Sequence, residues 1–258
     1  MTDIGPLLTQ LSDMGADMLW VALLVFLRVG AAMASLPAFG EQSVPQRVRV
    51  ALAVAFTAVV APAVGPLPDP ALGVLLPCAV EVVLGIFLGL SLRMFVLALQ
   101  TAGALIAQAT SLAQLFGGAG PEPQPAISNL LVMAGLALAV SMGFHIHIAK
   151  FLILSYEMLP AGAFPNAGDM ADWGLNQVSQ AFGLGFVLAT PFTIAAILYN
   201  VTLGVINRAM PALMVSFVGA PVLTAAGLAL MAVMAPLALA LWSSALQGFL
   251  AAPFQVAP

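Results

Sequence analysis

Very few charged side chains interrupt this sequence. Of its 258 residues, six are Lys or Arg and ten are Asp or Glu, so 6% are charged while 62% are hydrophobic. A soluble globular domain carries about 25% charged residues, which cover its water-facing surface. The composition therefore excludes a soluble enzyme, a disordered chain and a basic nucleic-acid-binding module.

The apolar residues lie in long unbroken runs. A membrane-spanning β-strand would alternate polar and apolar residues over about ten positions, whereas a spanning helix needs about 20 mostly apolar residues. We therefore predict an all-α polytopic membrane protein that forms a single membrane domain over residues 1–258. Its six hydrophobic segments cover residues 18–39, 48–64, 71–98, 126–158, 178–206 and 212–249.

The fourth and sixth segments are longer than one bilayer crossing requires. Each is expected to tilt, break or fold into a hairpin, with Pro221 and Pro236 as break points in the sixth segment. In the fourth, a hairpin turn is expected between Gly143 and His147. If that hairpin forms, the direction of every later segment reverses.

Charge asymmetry between segment ends predicts an orientation, because Lys and Arg near helix ends are retained on the cytoplasmic side. Basic residues lie near the ends of the first, third and fifth segments, and acidic residues lie at the alternate ends. We therefore predict an N terminus on the outer side of the membrane. Lys150 in the fourth segment is the basic residue that this orientation does not place. The residues on the two sides are Arg47, Arg49, Arg93 and Arg208 against Asp3, Asp13, Asp17, Asp69, Asp169 and Asp172.

One stripe of the third segment combines charge with glycine. Glu81, Gly85, Gly89 and Arg93 recur every four residues, so they share one helix face. The glycines allow another backbone to approach closely, and an ionisable residue at membrane depth must face protein or water. We predict an inward-facing surface for this stripe, with helix or subunit packing favoured over a transport pathway.

Arg28 lies about halfway through the first segment, between Leu27 and Val29. At that depth it needs an acidic partner. Glu81 is the acidic residue with an equally apolar setting. We therefore predict a contact between Arg28 and Glu81, either within one chain or between chains.

Asn200, Gly204 and Arg208 repeat the four-residue spacing at the end of the fifth segment. Two interpretations stay open. The stripe is either a functional surface, or an amide that packs between helices followed by an arginine that reaches the lipid headgroups.

Residues for catalysis or for a cofactor are missing from the pattern. His145 and His147 would point about 200° apart on a helix, so a shared metal ion would require an extended turn. Cys78 is the single cysteine, and neither a phosphate-binding loop with its lysine nor a Ser/His/Asp arrangement is present. We expect no enzyme activity, no metal and no cofactor, with any work driven by another subunit or by the membrane potential.

Residues 108–125 stand apart from the other connections. An apolar tip, Leu112, Leu115 and Phe116, is followed by Gly117 and Gly118 and then by alternating prolines. An apolar flexible loop at membrane depth is tolerated only where it is buried in protein or lines a cavity. A plug or gate and an ordinary interfacial loop are both consistent with these residues.

Two runs in the sequence are specific: Ser-Val-Pro-x-Arg-Val-Arg at residues 43–49 and Asn-x3-Gly-x3-Arg-x2-Pro at residues 200–211. Together with further stretches, in their order along the chain, they resemble the FliR/SctT family, the R-type subunit of the export gate in bacterial flagellar and injectisome type III secretion. The matching positions are residues 37–49, residues 81–93 with Ala102 and Gly103, residues 143–145 with Ser155, Tyr156, Leu159 and Pro160, and residues 189–191 with Asn200, Gly204, Arg208, Pro211, Phe217 and Gly219.

The resemblance implies a core subunit that assembles with FliP-like and FliQ-like subunits into a pore and contacts a FlhB-like switch protein. Unfolded flagellar proteins would pass through it in the bacterial inner membrane, at the flagellar basal body, driven by the proton gradient and a separate ATPase. Lipid would be a further neighbour, and nucleic acid would not be a partner. The family also implies that the overlong segments form long helical hairpins in the complex, and that the 108–125 loop helps to close the pore. Where the family commonly has Gln after the motif's proline, this chain has Ala212.

Three alternatives compete with this interpretation. A small secondary transporter would use Arg28 and Glu81 as a substrate or proton path, but it predicts two similar halves that the sequence does not show. A lipid-processing membrane enzyme needs clustered histidines or carboxylates, which are missing. The injectisome counterpart of the gate subunit is disfavoured because the sequence around Arg208 and Pro211 is closer to the flagellar branch.

Overall fold

The computed structural model of the chain describes residues 5–41, 44–65, 67, 73–110, 126–210 and 215–254. These residues form seven α-helices and one short 3-10 turn, and none of them is in a β-strand. The all-α class predicted from the sequence is confirmed. The helices are α1 (Gly5–Ser35), α2 (Gln46–Val60, continued by the 3-10 turn Ala61–Ala63), α3 (Leu75–Thr110), α4 (Ala126–Ser141), α5 (Phe144–Met158), α6 (Ala167–Ala209) and α7 (Val215–Ala251).

Five of these helices are long and apolar enough to cross a membrane, and α4 with α5 would make a sixth span if the two count as one. The polytopic membrane protein expected from the sequence is therefore confirmed. Two helices extend well beyond the hydrophobic segments predicted at residues 71–98 and 178–206. Helix α3 continues to residue 110, and α6 begins at residue 167.

The fourth segment is broken between α4 and α5. Helix α5 begins after Gly143, whose φ of 77° is a left-handed conformation that glycine adopts without steric cost. The two helices are bent by 77° relative to each other. The break expected in this segment is present, and its angle is much smaller than the reversal of a hairpin.

The expected break in the sixth segment is wrong. Helix α7 continues through both Pro221 and Pro236, and α6 continues through Pro191 in the same way. A proline removes one backbone hydrogen bond and crowds the preceding turn. In an apolar setting, however, opening the helix would leave further N–H and C=O groups without water partners, so the helix persists.

The chain divides into two compact units. One comprises residues 1–93, 143–175 and 252–258, and the other comprises residues 94–142 and 176–251. Helices α3 and α6 each contribute residues to both. The single membrane domain expected from the sequence stays a prediction.

The core of the first unit forms where α1 packs on its neighbours. Leu24, Val25, Val29, Ala32 and Met33 of α1 are all buried. Their spacing of three and four residues places them on one face of the helix. That face includes Arg28, so this apolar core contains a charge.

The core of the second unit contains an apolar cluster. Ile106, Leu131, Ala189, Phe192 and Met231 form one buried cluster drawn from α3, α4, α6 and α7. Nearby, the Trp242 indole N–H donates to the Phe95 carbonyl at 2.8 Å. A buried indole needs such an acceptor, so this bond fixes α7 against α3 within the unit.

Candidate functional site

A fully buried ion pair lies in the first unit, between the last third of α1 and the first half of α3. Arg28 Nε donates to Glu81 Oε2 at 2.7 Å, and Arg28 Nη2 donates to Glu81 Oε1 at 3.1 Å. Both side chains are 0% exposed. The contact expected from the sequence is therefore present, and it forms within one chain. A two-point arginine–carboxylate pair fixes direction as well as distance, so it sets the register of α1 on α3.

Helix α5 supplies further partners for the guanidinium group. Arg28 Nη1 donates to Ser155 Oγ at 3.2 Å, and Nη2 donates to the Leu159 carbonyl at 3.0 Å. The Tyr156 ring lies 3.7 Å from Arg28 Cζ, measured to the ring centroid, as in a cation–π contact. Arg28 thus satisfies a carbonyl at the C-terminal end of α5, where helix carbonyls have no partner in the helix itself.

The Glu81 carboxylate also accepts more than the two arginine bonds. The Tyr156 hydroxyl donates to Oε2 at 3.2 Å, and the Gly162 backbone N–H donates to Oε1 at 3.1 Å. Gly162 belongs to the turn after α5 and has a φ of 71°. With its bonds completed in this way, a buried charge pair avoids most of the desolvation cost that a bare pair would carry.

We call Arg28, Glu81, Ser155, Tyr156, Leu159 and Gly162 the buried polar network. The contribution of α5 and its turn was not predicted. In the sequence, Ser155, Tyr156 and Leu159 are distinguished only as positions that match the family resemblance. No spacing rule links residues more than 70 positions apart, so no pattern in one sequence could have joined them to Glu81.

The two glycines of the α3 stripe lie directly against α1. A methyl group at Gly85 would overlap the Arg28 carbonyl and lie 2.8 Å from Ala31 Cβ. At Gly89 a methyl group would overlap Ser35 Oγ and lie 2.5 Å from the Ala32 carbonyl oxygen. These contacts are helix packing of the kind that small residues allow. The close approach also brings Glu81, one turn before Gly85, within reach of Arg28.

Arg93 completes the stripe at a more open position. Its Nη1 lies 3.9 Å from Glu41 Oε1, and the two side chains are 32% and 31% exposed. Glu41 Oε1 is itself buried, and no described residue forms a hydrogen bond with it. The Arg49 side chain binds backbone carbonyls of the same connection. Its Nη2 donates to the Glu41 carbonyl at 2.7 Å, and its Nε donates to the Val44 carbonyl at 3.1 Å. The connection from α1 to α2 is therefore held by arginines from α2 and α3.

The stripe at the end of α6 is exposed along its length. Asn200, Gly204 and Arg208 all lie on the surface, and a methyl group at Gly204 would meet nothing within 4 Å. Within the described parts of the chain, the side chains of Asn200 and Arg208 form neither a hydrogen bond nor an ion pair. Neither interpretation of this stripe is tested by the structure.

The candidate plug residues Leu112, Leu115, Phe116, Gly117 and Gly118 lie outside the described residues, so the plug stays a prediction. Among the residues that are described, no group of three or more His, Cys, Asp or Glu side chains is arranged to hold a metal ion. What the structure does show is the buried polar network, which joins α1, α3 and α5.

Comparison with known proteins places these features in context. Residues 19–249 match the model of the family described as bacterial export proteins, family 1. The flagellar biosynthetic protein FliR of Caulobacter vibrioides is 33% identical over 223 residues, covering 84% of this chain and 89% of the relative. FliR of Escherichia coli is 29% identical over 216 residues, covering 82% of each chain. FliR of Aquifex aeolicus is 29% identical over 238 residues, covering 90% of this chain and 92% of the relative.

Proposed function

The chain belongs to the bacterial export proteins of family 1 and is a FliR-type subunit of the flagellar export gate, and from this premise we propose how it works in that gate. It is a membrane-embedded structural component of flagellar protein transport. In the proposal, it assembles with FliP-like and FliQ-like subunits into a pore for unfolded flagellar proteins, and it contacts a FlhB-like switch protein.

The observation that carries this proposal is the length of the uncharged helices. Between Asp172 and Arg208, α6 has 35 residues without a charge, and α7 has none in 37 residues. At a rise of 1.5 Å per residue, these stretches are about 52 and 55 Å long, compared with a hydrocarbon core of about 30 Å. Tilt alone does not absorb such an excess, because membrane helices tilt by about 20° on average. We infer that other protein subunits cover the remainder.

The exposed side chains of α6 support the same inference. Large apolar residues face outward from residue 182 to residue 205 of this helix, which lipid cannot cover completely. Apolar surfaces of other protein subunits would cover these side chains instead. These residues are Phe182, Phe186, Val187, Ile194, Ile197, Leu198, Val201 and Val205.

We assign pore closure to residues 108–125. The five candidate residues Leu112, Leu115, Phe116, Gly117 and Gly118 would supply an apolar tip on a flexible glycine pair. Deleting Gly117 and Gly118 is expected to raise ion leakage or to reduce protein export. If both stay at the level of the unchanged protein, the plug assignment is wrong.

We further propose that the subunit lies in the inner membrane, within the flagellar basal body, and performs no catalysis. The proton gradient and a separate ATPase would drive export. A cell fractionation that recovers the chain with the outer membrane would contradict this location.

Co-purification in mild detergent tests the assembly. We expect the tagged chain to bring FliP-like and FliQ-like subunits with it in a fixed ratio, and its deletion to abolish flagella. A matched control is a tagged membrane protein of the same size from the same cells. Isolation of a lone, stably folded monomer that transports a small solute would contradict the proposal and favour a transporter.

A further inference from the structure

Helix α5 has one buried face and one open face. The buried face, which includes Ile148, Phe151 and Ser155, packs into the first unit. The opposite side of α5 contains the exposed residues Ile146, Lys150 and Glu157 and the half-buried Ile153, at successive spacings of four, three and four residues along the chain. We call these four residues the α5 seam. Their spacing aligns them along one line of the helix.

The α5 seam contains two charges without partners in the chain. Lys150 and Glu157 are both exposed, and within the described residues neither forms an ion pair or a hydrogen bond. They are seven residues apart, which is about 10 Å along the helix, so they do not neutralise each other. A charge in an apolar setting is unfavourable unless another polar or charged group compensates it. The seam therefore contrasts with Arg28 and Glu81, whose charges are paired inside the chain.

The spacing of the seam is that of a helix that packs along another helix. Alternating intervals of three and four residues place side chains at the contact positions of a coiled coil, and a polar residue there fixes the register of the pair. We propose that α5 packs along one helix of a different protein subunit, which places a carboxylate against Lys150 and a lysine or arginine against Glu157. The two partner residues are seven positions apart on their own helix. This proposal rests on the assembly proposed above.

Two other occupants fit the seam less well. Lipid phosphates would pair with Lys150 but would repel Glu157, and acyl chains would pair with neither. A second copy of α5 running antiparallel would pair Lys150 with Glu157 in both directions. In that arrangement, Ile146 would face residue 161 of the other copy, which lies beyond the end of α5 at Met158, so one of the four seam residues would stay uncovered.

Photocrosslinking in native membranes tests the proposal. A photoreactive amino acid is placed at Ile146 or at Ile153, and the crosslinked peptide is identified by mass spectrometry. We expect both positions to crosslink the same helix of another subunit, with an acidic and a basic residue seven positions apart. Crosslinks to lipid alone, or to a second copy of this chain, would overturn the proposal.

Charge reversal then tests the pairing. Lys150→Glu is expected to lower the crosslinked fraction from Ile153 about tenfold, and reversing the partner's carboxylate is expected to restore it. His145→Glu is the matched control, because His145 is exposed on the same helix but lies off the seam. The crosslinked fraction is normalised to the amount of chain in the membrane, so a variant that is merely unstable is recognised.

The double variant Lys150→Glu/Glu157→Lys shows whether the α5 seam packs on a helix of a different subunit or on a second copy of α5. It should stay defective if a different helix covers the seam, because both partner charges then meet like charges. Recovery in the double variant would show self-pairing and would overturn the proposal. If the chain co-purifies with gate subunits while Ile146 and Ile153 crosslink no protein, the seam is refuted and the assembly stands.

Discussion

Arg28 and Arg208 are both arginines of long apolar helices, yet the structure treats them in opposite ways. Arg28 is 0% exposed and has four hydrogen bonds to other parts of its own chain. Arg208 is exposed and has none within the described residues. The difference separates two uses of a scarce charge in a membrane subunit. The charge of Arg28 is paired inside the fold and stabilises it, whereas the charge of Arg208 is exposed at the surface.

The largest effect should follow from removing one member of the buried pair. Arg28→Leu leaves Glu81 buried and without its main partner, which is expected to cost about 3–5 kcal/mol in the free energy of unfolding. Removing both charges with Arg28→Leu/Glu81→Leu should cost much less. Thermal unfolding of the purified chain in detergent measures both.

Charge reversal provides the control for that comparison. Arg28→Glu and Glu81→Arg should each destabilise the chain, and the combination should recover part of the loss. If the double variant is no better than either single variant, the pair does not act as a unit. Ser155, Leu159 and Gly162 bind specific ends of the pair, so recovery is expected to be incomplete.

The next effect concerns the glycines of the two stripes. Gly85→Ala would force a methyl group against the Arg28 carbonyl, and overpacking of this kind costs about 1–3 kcal/mol. Gly204→Ala meets open space and should be neutral or stabilising by up to about 1 kcal/mol through helix propensity. The same unfolding assay compares them. A loss of stability in Gly204→Ala as large as that in Gly85→Ala would remove the distinction between the stripes.

A smaller effect is expected on α3 itself, which has one buried and one open charge. Arg93 lies 3.9 Å from Glu41, and both side chains are about one-third exposed. Exposed pairs contribute about 0–1 kcal/mol, so Arg93→Gln should lower the free energy of unfolding by less than that. High salt should reduce the difference between Arg93→Gln and the unchanged chain. A loss comparable to that of Arg28→Leu would show that Arg93 has a buried role.

The contact between Arg28 and Glu81 was predictable because charge is scarce. A chain with sixteen charged residues, most of them near segment ends, offers few carboxylates to an arginine in the middle of a span. Elimination therefore identifies Glu81 as the partner of Arg28. Because charges are scarce, the apolar runs are long and uninterrupted, and these runs predict the helical class and most of the segment positions.

The rest of the buried polar network could not be predicted in that way. Ser155 and Tyr156 are ordinary residues until the end of α5 is placed beside α1, which is a tertiary fact. The sixth segment shows the opposite error, since Pro236 carries a strong local signal for a break and α7 continues through it. Local propensity was outweighed there by the cost of exposing backbone groups in an apolar setting.

The smallest effect on stability should come from removing the Arg208 side chain. This result decides whether Arg208 differs from Arg28 in the way that the structure indicates. Since Arg208 has no partner within the described residues, Arg208→Ala should change the free energy of unfolding of the isolated chain by less than about 0.5 kcal/mol. If its charge serves the assembled gate, the same variant should recover less of the FliP-like and FliQ-like subunits in co-purification, and Arg208→Lys should recover more than Arg208→Ala. If it only reaches lipid headgroups, co-purification should be unchanged. Destabilisation of the isolated chain by Arg208→Ala would mean that this arginine is also completed inside the fold, and the contrast with Arg28 would no longer hold.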